Sequence, residues 1–221
     1  MSKHLVIILD ACRYDALKQE LPKYTNNFLL FPIYGGSHNT PTFYKNITGV
    51  EDFVLLTANP TVAYIGETHK WKRVIHTKSI DPFDNIRDCI ELLKSEDKVY
   101  LHLIPPHVPW LGGEGRVKYK SLMKKLNFFM NLKPNKRHFG PVGIEQEIYH
   151  AVGVDDAWKY YLENLNYALR AIFSYYEQLP KPFVITADHG ELLGENNLWG
   201  HSFEKCNHYI PVSYTHLTLP T

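Results

Sequence analysis

The sequence predicts an α/β domain built on a mostly parallel sheet with helices on both faces. Two observations carry this. Apolar, β-prone runs alternate with helical stretches along most of the 221 residues, the pattern of repeated βαβ units. The second is the run Pro182-Phe183-Val184-Ile185-Thr186-Ala187, which stops abruptly at Asp188-His189-Gly190-Glu191. It reads as a buried strand delivering a carboxylate and an imidazole to its carboxyl end, where open α/β sheets hold their ligands. Neighbouring residues of a strand point to opposite faces. Asp188 and His189 can therefore converge only where the strand has ended and the chain turns, which Gly190 permits.

The remaining elements follow in order. His4 to Leu9 is a strand, and a helical stretch runs from Asp15 to Glu20. Asp10 between them is either a helix N-cap or a ligand at a strand end. Leu29 to Tyr34 reads as a second strand, followed by Gly35-Gly36-Ser37-His38-Asn39-Thr40-Pro41-Thr42, with Pro41 in the first turn of a helix ending near Thr48. A hydroxyl just before that turn would lie at a helix N-terminus suited to an anion; Ser37 or Thr40 could equally be its N-cap. Phe53 to Thr57 and Val62 to Ile65 are strand-like around an Asn59-Pro60 turn, and Asp84 to Lys94 is helical with Ile86, Ile90 and Leu93 on one stripe. Lys98 to Ile104 is a strand ending in the stiff loop Pro105-Pro106-His107-Val108-Pro109-Trp110. Residues 111 to 154 are the least regular part and read as an insertion over the sheet edge, of the kind that serves as a substrate lid. A long amphipathic helix then covers Asp155 to Gln178, with its tyrosines in core and rim, before Pro180 and Pro182 break it.

Composition limits the function classes. A hydrophobic content of 44% suffices for one sizeable core. A net charge of +1 argues against nucleic acid as a partner, and the basic cluster from Arg116 to Arg137 reads as a solvated face. No stretch approaches the roughly 20 apolar residues of a membrane span, and no secretory signal precedes the first strand. Cys12, Cys89 and Cys206 are far apart, which suggests a reduced, cytoplasmic chain, with Cys12 a small buried residue rather than a nucleophile. Neither a Walker loop nor a dinucleotide glycine fingerprint is present. Residues 213–221 read as a non-native tail, so the fold is expected to occupy residues 1–212 and to be truncated at its C-terminal end.

Asp10, the Ser37/Thr40 loop, His107, Asp188-His189 and His201 all follow strands or lie in the loops after them. A parallel sheet would gather them at one edge. Two carboxylates, a hydroxyl and several imidazoles around one point suit a divalent cation with oxygen and nitrogen ligands. The order Val6-Ile7-Ile8-Leu9-Asp10, Ser37-His38-Asn39-Thr40-Pro41, Pro106-His107-Val108-Pro109-Trp110, Thr186-Ala187-Asp188-His189-Gly190-Glu191 and Gly200-His201 resembles the alkaline phosphatase and sulfatase superfamily, in particular its small sulfatase-like branch.

The resemblance implies that Asp10, Asp188 and His189 bind a catalytic divalent metal (zinc, manganese, calcium or magnesium) and that Thr40 is the metal-bound nucleophile. It implies that His107 and His201 contact the transferred anion or a second metal, or protonate the leaving group. None of the three cysteines has the context needed for formylglycine, which argues against an ordinary arylsulfatase. Counting back from Thr48-Gly49 puts Asn39, which cannot act as a nucleophile, at the family's nucleophile position. Thr40 beside it is the choice, with Ser37 and Thr42 as alternatives. The expected activity is metal-dependent hydrolysis or transfer of phosphate esters, with sulfate esters second, on a small or glycan-linked anionic substrate. A catalytically silent anion- or glycan-binding domain is the alternative. Both require the carboxyl groups of Asp10 and Asp188 to lie close enough to share one ion.

Overall fold

The computed structural model describes residues 2–33, 37, 39–68, 71–130, 148, 151–200 and 210–215, and it has the expected α/β architecture. The chain runs β1 (His4–Leu9), α1 (Tyr14–Glu20), β2 (Phe28–Ile33), α2 (Thr40–Asn46), β3 (Val54–Thr57), α3 (Pro60–Glu67), β4 (Arg73–His76) and α4 (Pro82–Leu93). It continues through β5 (Lys98–Leu103), α5 (Gly113–Lys118), α6 (Lys120–Met130), α7 (Val154–Ser174), β6 (Phe183–Ala187), β7 (Leu192–Leu193), β8 (Trp199–Gly200) and β9 (Ile210–Thr215). Seven strands form one sheet in the order β2-β9-β6-β1-β5-β3-β4, and β7 pairs with β8 in a small ribbon. Within the large sheet the pairings are parallel except the two made by β9.

β1 lies at the switch point. Its last residue, Leu9, is in register with Leu103 of β5 on one side and Ala187 of β6 on the other. The loops after three adjacent strands therefore open at one edge, where the reversal of strand order leaves a crevice. Alternation along β1 divides the core into two layers. Leu5, Ile7 and Leu9 face Leu17 of α1, Ile86 and Cys89 of α4, and Leu165, Leu169 and Ile172 of α7. Ile8 faces the other way, against Tyr44 of α2 and Val62 and Ile65 of α3. No described helix is long and apolar enough to cross a membrane.

Two expectations are corrected. Val62 to Ile65 is helical rather than extended, because Asn59 caps α3 by accepting from the amides of Thr61 and Val62, and Pro60 occupies the first turn. The strand beside β3 is instead β4, a four-residue segment with only partly buried side chains except for exposed Arg73. The described start of the insertion is also helical. α5 packs on α7 closely enough that a Cβ on Gly115 would lie 2.8 Å from the Tyr160 ring and 2.9 Å from that of Trp110. β9 carries main-chain pairing as far as Thr215.

Candidate metal centre at the carboxyl edge

Asp10 follows β1 directly, and α1 begins four residues later with Arg13 at its N-cap position. The capping role is thus not Asp10's. Ala11, the next residue, has φ 57°, a left-handed conformation that costs a non-glycine residue about 1–2 kcal/mol. Two contacts hold it there. The hydroxyl of Tyr161 on α7 donates to Ala11 O at 2.8 Å and accepts from Arg13 N at 2.8 Å, while the Ala11 amide donates to Asp188 Oδ1 at 3.1 Å. The loop after β1 is in this way joined to the loop after β6. The chain turns there without a left-handed residue at Gly190, whose φ is not among the positive values; its carbonyl instead accepts from His189 Nδ1 at 2.8 Å.

Thr40 is brought in from α2. The N-cap of that helix is neither Ser37 nor Thr40 but Asn39, whose side chain accepts from Thr42 N at 2.9 Å. With the cap supplied by its neighbour, the Thr40 hydroxyl turns inward, 3.0 Å from His189 Nε2 and 3.4 Å from Asp10 Oδ1. Ser37 spends its hydroxyl on Asn39 O at 2.8 Å. Among the three hydroxyls considered, Thr40 is the one seen in contact with the acidic cluster.

Asp10, Thr40, Asp188 and His189 are all buried, and so is a residue the sequence reading passed over, His102 on β5. His189 Nε2 lies 3.5 Å from both Asp10 Oδ1 and Asp188 Oδ2. His102 Nε2 lies 3.6 Å from Asp10 Oδ2 and 3.9 Å from Asp188 Oδ2. One ligand atom each from Asp10, His102 and Asp188 fall within 4.8 Å of one another. Such separations exceed hydrogen-bond length. They match neighbouring ligands of one ion, which at bond lengths of about 2.0–2.2 Å stand roughly 3–4 Å apart. The donors fit a divalent cation in other ways too. His189 gives its Nδ1 proton to a carbonyl, leaving the Nε2 lone pair for a metal. Burial works to raise the Asp188 carboxyl, but attraction to His189, contact with His102 and the hydrogen bond from the Ala11 amide outweigh it and lower it.

The sequence matches no protein-family model and no curated protein. Solved structures do match. The soluble domain of lipooligosaccharide phosphoethanolamine transferase A from Neisseria meningitidis superposes with a TM-score of 0.61 at 14% identity, over 96% of this chain and 77% of that one. The C-terminal periplasmic domain of EcEptC from Escherichia coli, solved in complex with zinc, gives 0.60 at 14% identity, over 97% and 72%. A protein in the alkaline phosphatase superfamily from Vibrio parahaemolyticus gives 0.52 at 10% identity, over 97% and 60%. This chain has the alkaline phosphatase superfamily fold.

On that fold the loop after β5 lies beside the cluster. The His107 amide donates to Asp10 O at 3.2 Å. The His107 ring gives its Nδ1 proton to Val108 O at 2.6 Å, and Nε2 faces Glu191 Oε2 at 3.8 Å. The loop is held from α7 by the fully buried Asn164, which donates to Pro106 O at 3.1 Å and His107 O at 2.9 Å and accepts from Leu111 N at 2.8 Å. Cys12 is fully buried, and desolvation, with Asp15 and Asp188 adding to it, keeps its thiol protonated. His201 lies outside the described residues. Sequence reasoning missed His102, Asn59, Glu191, Tyr161 and Asn164. A signal existed for His102, a polar residue inside an otherwise apolar parallel strand, and for Glu191, which completes the Asp-His-Gly-Glu run. Tyr161 and Asn164 sit within an ordinary amphipathic pattern that says nothing of the loops they reach.

Proposed function

We propose that this chain is a divalent-metal-dependent enzyme of phosphate ester hydrolysis or transfer, with Thr40 as its nucleophile and sulfate esters as a lesser substrate class. The observation that carries the reading is the Thr40 hydroxyl, buried at the start of α2 and within 3.4 Å of both His189 and Asp10. The fold supports it, since two of the solved structures sharing that fold are phosphoethanolamine transferase domains.

Asp10, Asp188 and His189, with Thr40, would hold the ion. Bound there, a divalent cation supplies charge neutralisation for a phosphoryl oxygen and for the deprotonated hydroxyl. Thr40 Oγ1, its proton released to solvent on binding of the ion, would form a bond to phosphorus as the bond to the ester oxygen opposite breaks. Holding the hydroxyl in place lowers the cost of bringing nucleophile and phosphorus together. His107 delivers a proton to the departing oxygen from Nε2, because Nδ1 is committed to the Val108 carbonyl. Water or an acceptor alcohol then attacks the phosphothreonine, its proton passing to His107 while the bond from phosphorus to Thr40 Oγ1 breaks and returns the threonine oxygen. For His201 the resemblance implies contact with the transferred anion or a second metal, or protonation of the leaving group.

The test is a panel of p-nitrophenyl phosphate, bis-p-nitrophenyl phosphate and p-nitrophenyl sulfate with Zn²⁺, Mn²⁺, Mg²⁺ or Ca²⁺. Metal-dependent turnover of the phosphate esters that falls about a thousandfold or more in Thr40→Ala is expected. Full turnover by Thr40→Ala would remove that residue from the mechanism. Metal-dependent binding of the esters without turnover would favour the silent anion-binding domain.

A further inference from the structure

We infer that His102 is a further ligand of this ion, entering from the sheet through Nε2, and that the centre therefore selects a borderline transition ion of the zinc or cobalt kind over calcium or magnesium. The inference rests on the metal-centre reading above.

His102 has no place in an ordinary strand. It is fully buried in β5, in register with Ile8 of β1 and Thr57 of β3, and packs edge-on against Tyr44 at 5.6 Å. An imidazole in such surroundings needs partners for both nitrogens, because desolvation goes uncompensated at any nitrogen left without one. Nδ1 has a partner in Thr57 Oγ1 at 3.3 Å. Nε2 has no hydrogen-bond partner among the described residues, and neither has Asp188 Oδ2, the oxygen facing it. The two atoms are 3.9 Å apart, and Asp10 Oδ2 is 3.6 Å from the same nitrogen. These gaps are too long for hydrogen bonds and right for co-ligands of one ion.

The partner of Nδ1 also suits a ligand. Thr57 Oγ1 accepts from Asn59 N at 3.0 Å with one lone pair. Its second lone pair can accept an Nδ1 proton, which leaves the Nε2 lone pair directed at the carboxylates. A hydroxyl behind a metal-binding imidazole fixes ring and tautomer in the way outer partners of metal sites do. With His102 the donor set holds two imidazoles. Hard ions that prefer all-oxygen shells gain little from a second nitrogen, whereas borderline ions gain much.

X-ray absorption at the zinc edge of the zinc-loaded full chain counts imidazoles without any variant. Two per zinc are expected; one would overturn the inference even if zinc is bound. Cobalt titration followed by visible absorption adds a second readout. His102→Gln is expected to bind Co²⁺ at least ~10-fold more weakly, with an altered spectrum, and Thr57→Val to show a smaller loss. Millimolar Ca²⁺ or Mg²⁺ should fail to displace the cobalt. Wild-type affinity and spectrum in His102→Gln, beside lost binding in Asp188→Asn, would sink the role of His102 and leave the metal centre standing. Failure of the wild-type chain to bind Co²⁺ or Zn²⁺ would sink both.

Discussion

Asn164 offers the sharpest test of how α7 supports the site. Its side chain is fully buried, its oxygen accepts from Leu111 N, and its two amide protons are shared among the carbonyls of the Pro105 to Pro109 loop. Asn164→Ala deletes about three hydrogen bonds and strands at least the Leu111 amide and the His107 carbonyl. Each buried polar group left without a partner costs about 1–3 kcal/mol. The expected destabilisation is therefore about 2–6 kcal/mol, at the low end if water fills the space. For a chain of this length each kcal/mol lowers Tm by roughly 2–4 °C. Urea unfolding followed by tryptophan fluorescence, with exposed Lys159→Ala as a control expected to cost under about 1 kcal/mol, measures it. The consequence for the site is selective. Asn164 touches the loop carrying His107 and no residue of the Asp10–Asp188 cluster, so turnover should fall while metal affinity holds. A loss below about 1 kcal/mol, or a parallel fall in metal affinity, would refute this division of labour.

Tyr161→Phe should act on the other loop: losing the hydroxyl that fixes Ala11 and Arg13 is expected to weaken zinc binding about 10-fold in chelator competition and to cost about 1–2 kcal/mol of stability. Asp188→Asn should abolish metal-induced stabilisation, which for an ion at a hundred times its Kd is about 2.7 kcal/mol in the wild type; calorimetry with and without Zn²⁺ reads this. Glu20 provides a pH test. Burial works to raise its carboxyl, but hydrogen bonds from Lys23, Asn166 and Gln19 prevail and lower it. A depressed folded-state value means that its stabilisation is present above the unfolded pKa of about 4.3 and is lost as pH falls through the folded value. The stability gap between wild type and Glu20→Gln should thus be open at pH 6 and close towards pH 3, and a gap constant with pH would count against it.

What could be read from the sequence was the part set by local composition. Strands buried on both faces are apolar throughout, so β1, β5 and β6 and their polar ends stood out. Their adjacency follows from the switch-point topology, which is why Asp10 and Asp188 are neighbours despite their separation along the chain. β4 was lost because a short edge strand has a weak pattern, and Val62 to Ile65 was misread because its β-branched residues outweighed the Asn-Pro start signal. The capping choice at α2 was misassigned for a related reason. Ser37, Asn39 and Thr40 are all good caps, and only the tertiary position of the Asp10 cluster decides which hydroxyl is left over.

Asn59 shows how one residue type can report the charge of its surroundings. Its oxygen caps α3 and its Nδ2 donates to Asp10 Oδ2 at 3.1 Å. As a cap, aspartate would serve equally well. As a neighbour of Asp10 it would not, since an acceptor would replace the donor and a third carboxylate would join two that already face each other across a few ångströms out of water. The neutral amide adds no further negative charge beside Asp10 and Asp188. An added negative charge there would oppose the approach of the phosphate that the proposed reaction requires. The capping signal legible at Asn59-Pro60 and the electrostatics of the centre are two consequences of the same side chain.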